Sequence, residues 1–222
     1  MKEKIHPVKY RRAVILPKAK LFNGVKNIID FTITLIAFVF LMPLFLLIAL
    51  LIKLDSKGPI FFIQDRVGKN GKLFKFLKFR TMVENAEKIG LGLGVSKDDF
   101  RITRVGRFLR EWTLDELPQF INILKGEMSL VGPRPLPQYP NQNILPATLW
   151  QKRVSVKPGL ICLVDIKGRG FVSSWRERLE LDVWYVENRS FWLDFKILFL
   201  GFFAVLSRRG VYGKEGVNKP PE

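Results

Sequence analysis

A mainly helical α+β fold, attached to a membrane by one apolar helix, follows from three features of this chain. Residues 31–52, FTITLIAFVFLMPLFLLIALLI, contain no charged side chain. Two aromatic-rich runs around residues 60–80, GPIFFIQDRVG and GKLFKFLKFRTM, flank a GKNG turn and read as two short strands. Downstream, apolar residues recur at helical spacing from Ile102 to Trp112, from Phe120 to Leu124, from Ser173 to Val186 and onward from Phe191.

The apolar segment would extend about 33 Å as a straight helix, enough for a hydrocarbon core of about 30 Å. It is too long, and starts too far from the first residue, for an ordinary cleaved signal peptide, so the expectation is that the chain retains it. Pro43 lies in its middle, removes one backbone hydrogen bond and predicts a kink. Both flanks are basic, with Lys18, Lys20 and Lys26 on one side and Lys53 and Lys57 on the other. The positive-inside rule therefore favours neither orientation, and a spanning helix and a re-entrant one both fit.

The strand pair follows, and Glu84 to Lys88 are expected to form a short helix. GLGLGVSKDD reads as a loop, its glycines too irregular for a nucleotide-binding fingerprint. The final run, FWLDFKILFLGFFAVLSRRG, suits either a bilayer interface or a buried core helix.

The chain has 222 residues, 48% of them hydrophobic, which excludes a disordered chain. Its net charge of +17 implies an anionic partner: nucleic acid, anionic lipid or a phosphorylated substrate. One cysteine, Cys162, and one histidine, His6, exclude a disulfide framework and leave no zinc or iron–sulfur site, so any metal is a hard, oxygen-bound one.

Within this basic chain, TLDELPQ places Asp115 and Glu116 side by side. Thr113 and Glu116 have capping-box spacing, which offers a purely structural role, although Pro118 fits poorly in a helix started at Thr113. The alternative is a reactive centre. Arg101, Arg104, Arg107 and Arg110 recur every third residue, KFLKFRTM adds Lys75, Lys78 and Arg80, and GPRP supplies Arg134 between two prolines. Such groups form either a solvated basic face or a cradle for phosphate, which guanidinium binds bidentately.

FFIQDRVGKNGKLFKFLKFRTM, TRVGRFLREWTLDELPQFINILKGEMSLVGPRP, KPG and LELDVWYVENRSFWLDFKIL, in this order, resemble the bacterial sugar transferase family, the monotopic polyprenyl-phosphate phosphoglycosyl transferases, over roughly residues 24–206. The resemblance implies transfer of a sugar phosphate from a UDP-sugar to a polyprenyl phosphate such as undecaprenyl phosphate, with release of UMP. It implies Asp115 as the nucleophile that forms an acyl phosphate and Glu116, beside it, as a ligand of Mg²⁺. Arg110, Lys78, Arg80 and Arg134 match the family's phosphate- and nucleotide-binding positions, with Asp182 as a further candidate that is either a substrate contact or structural.

The implied architecture is a basic segment at 1–24, a re-entrant membrane helix hairpin at 25–54, a membrane-associated catalytic domain at 55–210 with amphipathic interfacial helices and a small strand element, and a tail at 211–222. This is the family's minimal form, on the cytoplasmic face of the bacterial inner membrane among its lipids, without nucleic acid and with room for a homodimer. The chain departs from the family after Lys157, where LICLVDIKGRG puts Ile161, Cys162 and Asp165 in place of the usual threonine–glycine pair, nearby tryptophan and glutamine, and at Met42, where a small polar residue usually precedes the proline. The competing reading is a non-enzymatic basic membrane protein that recruits nucleic acid or anionic lipid, which would need neither the acidic pair nor PRP.

Overall fold

The structure, a computed structural model, describes residues 17–86, 89, 95–96, 99–137, 146–167, 175–206 and 217–218. It is mainly helical with small sheets, as the sequence implies. Helix α1 (Pro17–Asp55) contains the whole apolar segment and continues as one helix past Pro43. It starts eight residues before the expected boundary at 25, so the division between a basic segment and a membrane helix falls inside one element. Three residues beyond its end, Gly58 adopts φ 116°, a conformation that an L side chain resists.

Most of α1 faces outward, with Phe31, Ile36, Phe40, Leu47 and Leu50 among its exposed apolar residues. A narrower stripe is buried against the rest of the molecule at both ends. Near the start, Asp30 and Thr34 are buried; near the end, Phe45, Ile48 and Ile52 pack with Phe79 and Leu109.

Strands β1 (Phe61–Val67) and β2 (Leu73–Phe79) form the expected antiparallel hairpin, with Phe61 opposite Phe79 and Val67 opposite Leu73. Asn70 and Gly71 in its turn have φ of 56° and 76°, the positive pair that a tight hairpin needs and that the Asn-Gly dipeptide supplies. Of the expected helix at 84–88, residues 84–85 form a turn, with Asn85 at φ 60°, Ala86 is in a 3-10 turn, and 87–88 lie outside the described residues. Of the glycine-rich section, Val95–Ser96 form β3, whose partner is a later strand.

Helix α2 (Arg104–Glu111) is capped by Thr103, whose hydroxyl accepts the Gly106 amide at 3.0 Å. Asp55, in the last turn of α1, accepts the Val105 amide at 3.0 Å. After α3 (Gln119–Leu124) comes β4 (Ser129–Val131); β5 (Leu136–Pro137) then adds to the edge of β1, giving the order β2-β1-β5. Helix α4 (Ala147–Arg153) precedes β6 (Gly159–Ile161), which pairs parallel with β4. Helices α5 (Leu163–Lys167), α6 (Trp175–Asn188) and α7 (Phe191–Leu206) follow, and β7 (Val217–Asn218) pairs with β3.

The main core joins Phe74 and Phe76 of β2 with Ile123, Met128, Leu130, Val131, Tyr185 and Ile197. Helix α7 has one buried side and one exposed apolar side. Ile197 and Gly201 face this core, whereas Trp192, Phe195, Phe199, Phe202 and Phe203 stay exposed on the other side. Their stacking, with Trp192–Phe195 at 5.7 Å and Phe195–Phe199 at 6.2 Å, makes a continuous aromatic ridge.

Candidate active site

Asp115 and Glu116 occupy a 3-10 turn, Leu114–Glu116, between α2 and α3, and both are buried. Thr113 enters that turn at φ 56°, an unfavourable conformation for a β-branched residue, and its side chain makes no capping hydrogen bond. The capping box suggested by the spacing is therefore not formed. Instead the left-handed step reverses the chain immediately after α2 and directs both carboxylates inward.

There they meet cations from two other segments. Lys78 of β2 places Nζ 3.2 Å from Asp115 Oδ2 and 2.9 Å from Glu116 Oε1. Arg134, from the GPRP stretch, places Nη2 3.3 Å from the same Glu116 oxygen. Asp115 Oδ1 has no hydrogen-bond partner among the described residues. Two carboxylates, an ammonium and a guanidinium thus converge, which is the charge pattern that phosphoryl transfer needs.

The supports of Arg134 run through positions the motifs alone do not reveal. Gly132 and Gly159 touch backbone to backbone, so a Cβ on Gly159 would lie 2.1 Å from the Gly132 nitrogen and one on Gly132 would lie 2.6 Å from the Lys157 carbonyl oxygen. This contact locks the GPRP stretch onto the KPG turn. Asp165 Oδ1 lies 3.5 Å from Arg134 Nη1, and Asp165 Oδ2 accepts the Cys162 amide at 2.9 Å and its thiol at 3.0 Å. Burial, followed by the nearby Asp165 charge, pushes the Cys162 thiol well up. The stretch that departs from the family pattern therefore supplies a carboxylate to the site's arginine.

The remaining candidates take other places. The Arg80 guanidinium donates to the carbonyls of Lys57 and Ser56 at 2.6 and 2.7 Å, capping the end of α1 rather than joining the acidic pair. Arg110 Nε donates to Thr81 Oγ1 at 2.7 Å. That contact depends on Gly106, where a Cβ would lie 2.1 Å from the Thr81 carbonyl oxygen. Asp182 is buried in an ion pair with Arg153, 2.9 Å from its Nε and 2.8 Å from its Nη2, and Arg153 also donates to the Arg134 carbonyl. Burial pushes the Asp182 carboxyl up, and Arg153 opposes that shift. Asp182 is thus linked to Arg134 through Arg153, an arginine in α4 that no sequence signal connected to it.

The arginine ladder divides. Arg101 is fully buried, its Nη2 2.6 Å from Asp99, and it also donates to the carbonyls of Ala86 and Ile89. Arg104 and Arg107 are exposed. Lys75 pairs with Asp65 at the surface.

The pair could also hold a hard cation. Mg²⁺ takes one or two protein carboxylates and completes its octahedron with phosphate and water, and Asp115 with Glu116 fits that requirement. No group of three or more acidic, histidine or cysteine ligands occurs among the described residues.

Comparison with known proteins bears on this geometry. Residues 21–208 match the bacterial sugar transferase family. The chain is 39% identical over 201 residues to the UDP-glucose:undecaprenyl-phosphate glucose-1-phosphate transferase of Klebsiella pneumoniae, covering 86% of this chain and 43% of that protein. It is 37% identical over 200 residues to the UDP-N-acetylgalactosamine-undecaprenyl-phosphate N-acetylgalactosaminephosphotransferase of Aeromonas hydrophila, covering 88% and 47%. With the exopolysaccharide production protein ExoY of Sinorhizobium fredii it shares 40% identity over 201 residues, covering 84% and 88%. The chain spans less than half the length of the first two relatives and most of the third. With its acidic pair, its two cations and a match over nearly its full length, the chain belongs to the bacterial sugar transferase family.

Proposed function

We propose that this chain is a phosphoglycosyl transferase that moves a sugar phosphate from a UDP-sugar to a polyprenyl phosphate. The observation that carries this reading is the buried Asp115–Glu116 pair, held jointly by Lys78 and Arg134. Asp115 Oδ1 attacks the phosphorus that bears the sugar, forming an acyl phosphate. The bond from that phosphorus to the bridging oxygen breaks, and its electron pair departs with UMP. An oxygen of the polyprenyl phosphate then attacks the same phosphorus, and the Asp115 carboxylate leaves. Lys78 and Arg134 offset the negative charge of the phosphates, and Arg134 can take two phosphate oxygens at once. Mg²⁺, when bound by Glu116 and Asp115, would add charge neutralisation at the diphosphate.

The membrane arrangement we propose is a re-entrant hairpin with the domain on the cytoplasmic face of the inner membrane. Two features of α1 support it. Its start contacts the domain through Asp30, which accepts the Ser129 hydroxyl at 2.6 Å, and through Lys26, 2.7 Å from Asp194; its end contacts the same domain through Asp55. A spanning helix would hold its two ends on opposite sides of a hydrocarbon core of about 30 Å, where one compact domain could not reach both. In addition, Pro43, the residue at which a re-entrant helix would bend, lies between Phe38 and Phe45, whose rings pack 5.2 Å apart. The exposed apolar face of α1 and the aromatic ridge of α7 provide the surface that enters the lipid.

The test is UMP release from a panel of UDP-sugars with Mg²⁺ and undecaprenyl phosphate. Release from at least one sugar, dependent on the lipid for turnover, is expected; none from any would refute the reading.

A further inference from the structure

A second basic pocket, which shares no residue with the acidic pair or its cations, lies where α1, the KPG turn and the start of α7 meet. It encloses about 370 Å³ including its open mouth and is lined by Lys26 and Asn27 of α1, Lys69 of the hairpin turn, Lys157, Tyr185 and Arg189. We propose that this pocket binds an anionic phosphate group, that of a phospholipid head group at the membrane surface.

The charges carry the inference. Four cations, Lys26, Lys69, Lys157 and Arg189, line the pocket. Two carboxylates lie close by, and both are already engaged. Asp194 holds Lys26 at 2.7 Å and accepts the Tyr185 hydroxyl at 2.7 Å; Asp30 accepts the Ser129 hydroxyl at 2.6 Å and lies 3.5 Å from Lys26. Arg189 donates to Asn23 at 2.9 Å, a neutral partner. No carboxylate lies within ion-pair distance of the amines of Lys69 or Lys157 among the described residues. The pocket thus keeps two cations more than its carboxylates balance, in a partly desolvated setting where an unpaired charge is costly.

The positions of these amines are set by backbone. Lys69 sits in the hairpin turn, tied to the end of α4 by the Asn70 amide, which donates to the Val154 carbonyl at 2.7 Å. Lys157 precedes Pro158 and Gly159, whose backbones bond Ser129 and Pro133 at 2.9 and 2.8 Å. Burial, partly opposed by Asp30, lowers the pKa of the Lys157 amine, and Lys69 and Lys26 lower it further. An anion between these amines would reverse that.

The lipid as source rests on the re-entrant reading of α1. Asn27 lies four residues before the charge-free segment begins at Phe31, about 6 Å along the helix, which is head-group depth if that segment enters the bilayer. Arg189 likewise precedes the exposed Phe191 and Trp192 of α7.

Acylation of Lys157 by a dilute, uncharged amine reagent tests this, read by peptide mass spectrometry against the exposed Lys53 at the other end of α1. The full chain is placed in phosphatidylcholine nanodiscs, in discs that also contain phosphatidylglycerol, and in phosphatidylcholine discs with millimolar inorganic phosphate. Relative to Lys53, Lys157 labelling should fall several-fold in the phosphatidylglycerol discs, and Lys69→Met should remove most of that protection. Protection by inorganic phosphate alone would keep the anion pocket and overturn its lipid ligand and membrane depth. No protection in either would overturn the site. The readout does not involve sugar transfer, so it stands apart from the proposed activity.

Discussion

Replacing Asp182 by Asn separates the two roles its sequence context allows. The side chain is 3% exposed and Arg153 is 2% exposed, with two contacts of 2.9 and 2.8 Å between them. An Asn of nearly equal size keeps the packing but leaves the Arg153 guanidinium buried without its counter-charge. Breaking a buried pair in this way costs about 3–5 kcal/mol. At about 2–4 °C per kcal/mol for a chain of this size, the midpoint should fall by roughly 10 °C, measured by thermal unfolding in nanodiscs. Because Arg153 also holds the Arg134 carbonyl, kcat/KM should fall as well. The double variant Arg153→Met with Asp182→Leu should recover most of the stability, since an apolar pair can replace a buried ionic one, but not the activity, because the Arg134 carbonyl remains unheld. An Asp182→Asn protein that unfolds within about 2 °C of the parent yet has lost activity would refute this reasoning and return Asp182 to direct contact with substrate.

Glu116→Gln retains shape and loses charge beside Lys78 and Arg134; kcat should fall by about 10²-fold or more, with little recovery on raising Mg²⁺ in steady-state assays. Gly159→Ala puts a Cβ 2.1 Å from the Gly132 nitrogen, so the GPRP stretch must move; kcat/KM should drop by up to about 10²-fold, and a normal value would show that Arg134 does not depend on this contact. Lys4→Cys and Glu215→Cys, each in a Cys162→Ala background, should both resist an impermeant thiol reagent in intact cells, whereas labelling of one alone would establish a spanning helix.

Where the local sequence carried its own physical signal, it was legible. The charge-free run, the Asn-Gly turn between two aromatic strands and the helical spacing before Trp112 each specify an element without tertiary help. The convergence of Lys78, Arg134 and the acidic pair was readable as three basic or acidic motifs, although not the distances between them. The partners of Arg80 and Arg101 were not legible, because a basic motif does not reveal which acceptors a guanidinium will find: one donates to carbonyls at the end of α1 and the other is buried on Asp99. Thr113 has the spacing of a cap yet adopts a left-handed conformation, which the turn into α3 imposes and propensity does not anticipate. Arg153 lies 29 residues from Asp182 and in no motif, so only the packing of α4 on α6 brings it to its partner.

The central claim is that Asp115 forms a covalent bond to the sugar phosphate, and intact-protein mass spectrometry after mixing enzyme, Mg²⁺ and the active UDP-sugar without lipid acceptor tests it most directly. The account predicts one sugar phosphate added per chain, up to one equivalent of UMP released, and loss of both in Asp115→Asn with membrane attachment unchanged. An unmodified protein that still turns over once polyprenyl phosphate is added would contradict it and point to direct attack by the lipid phosphate.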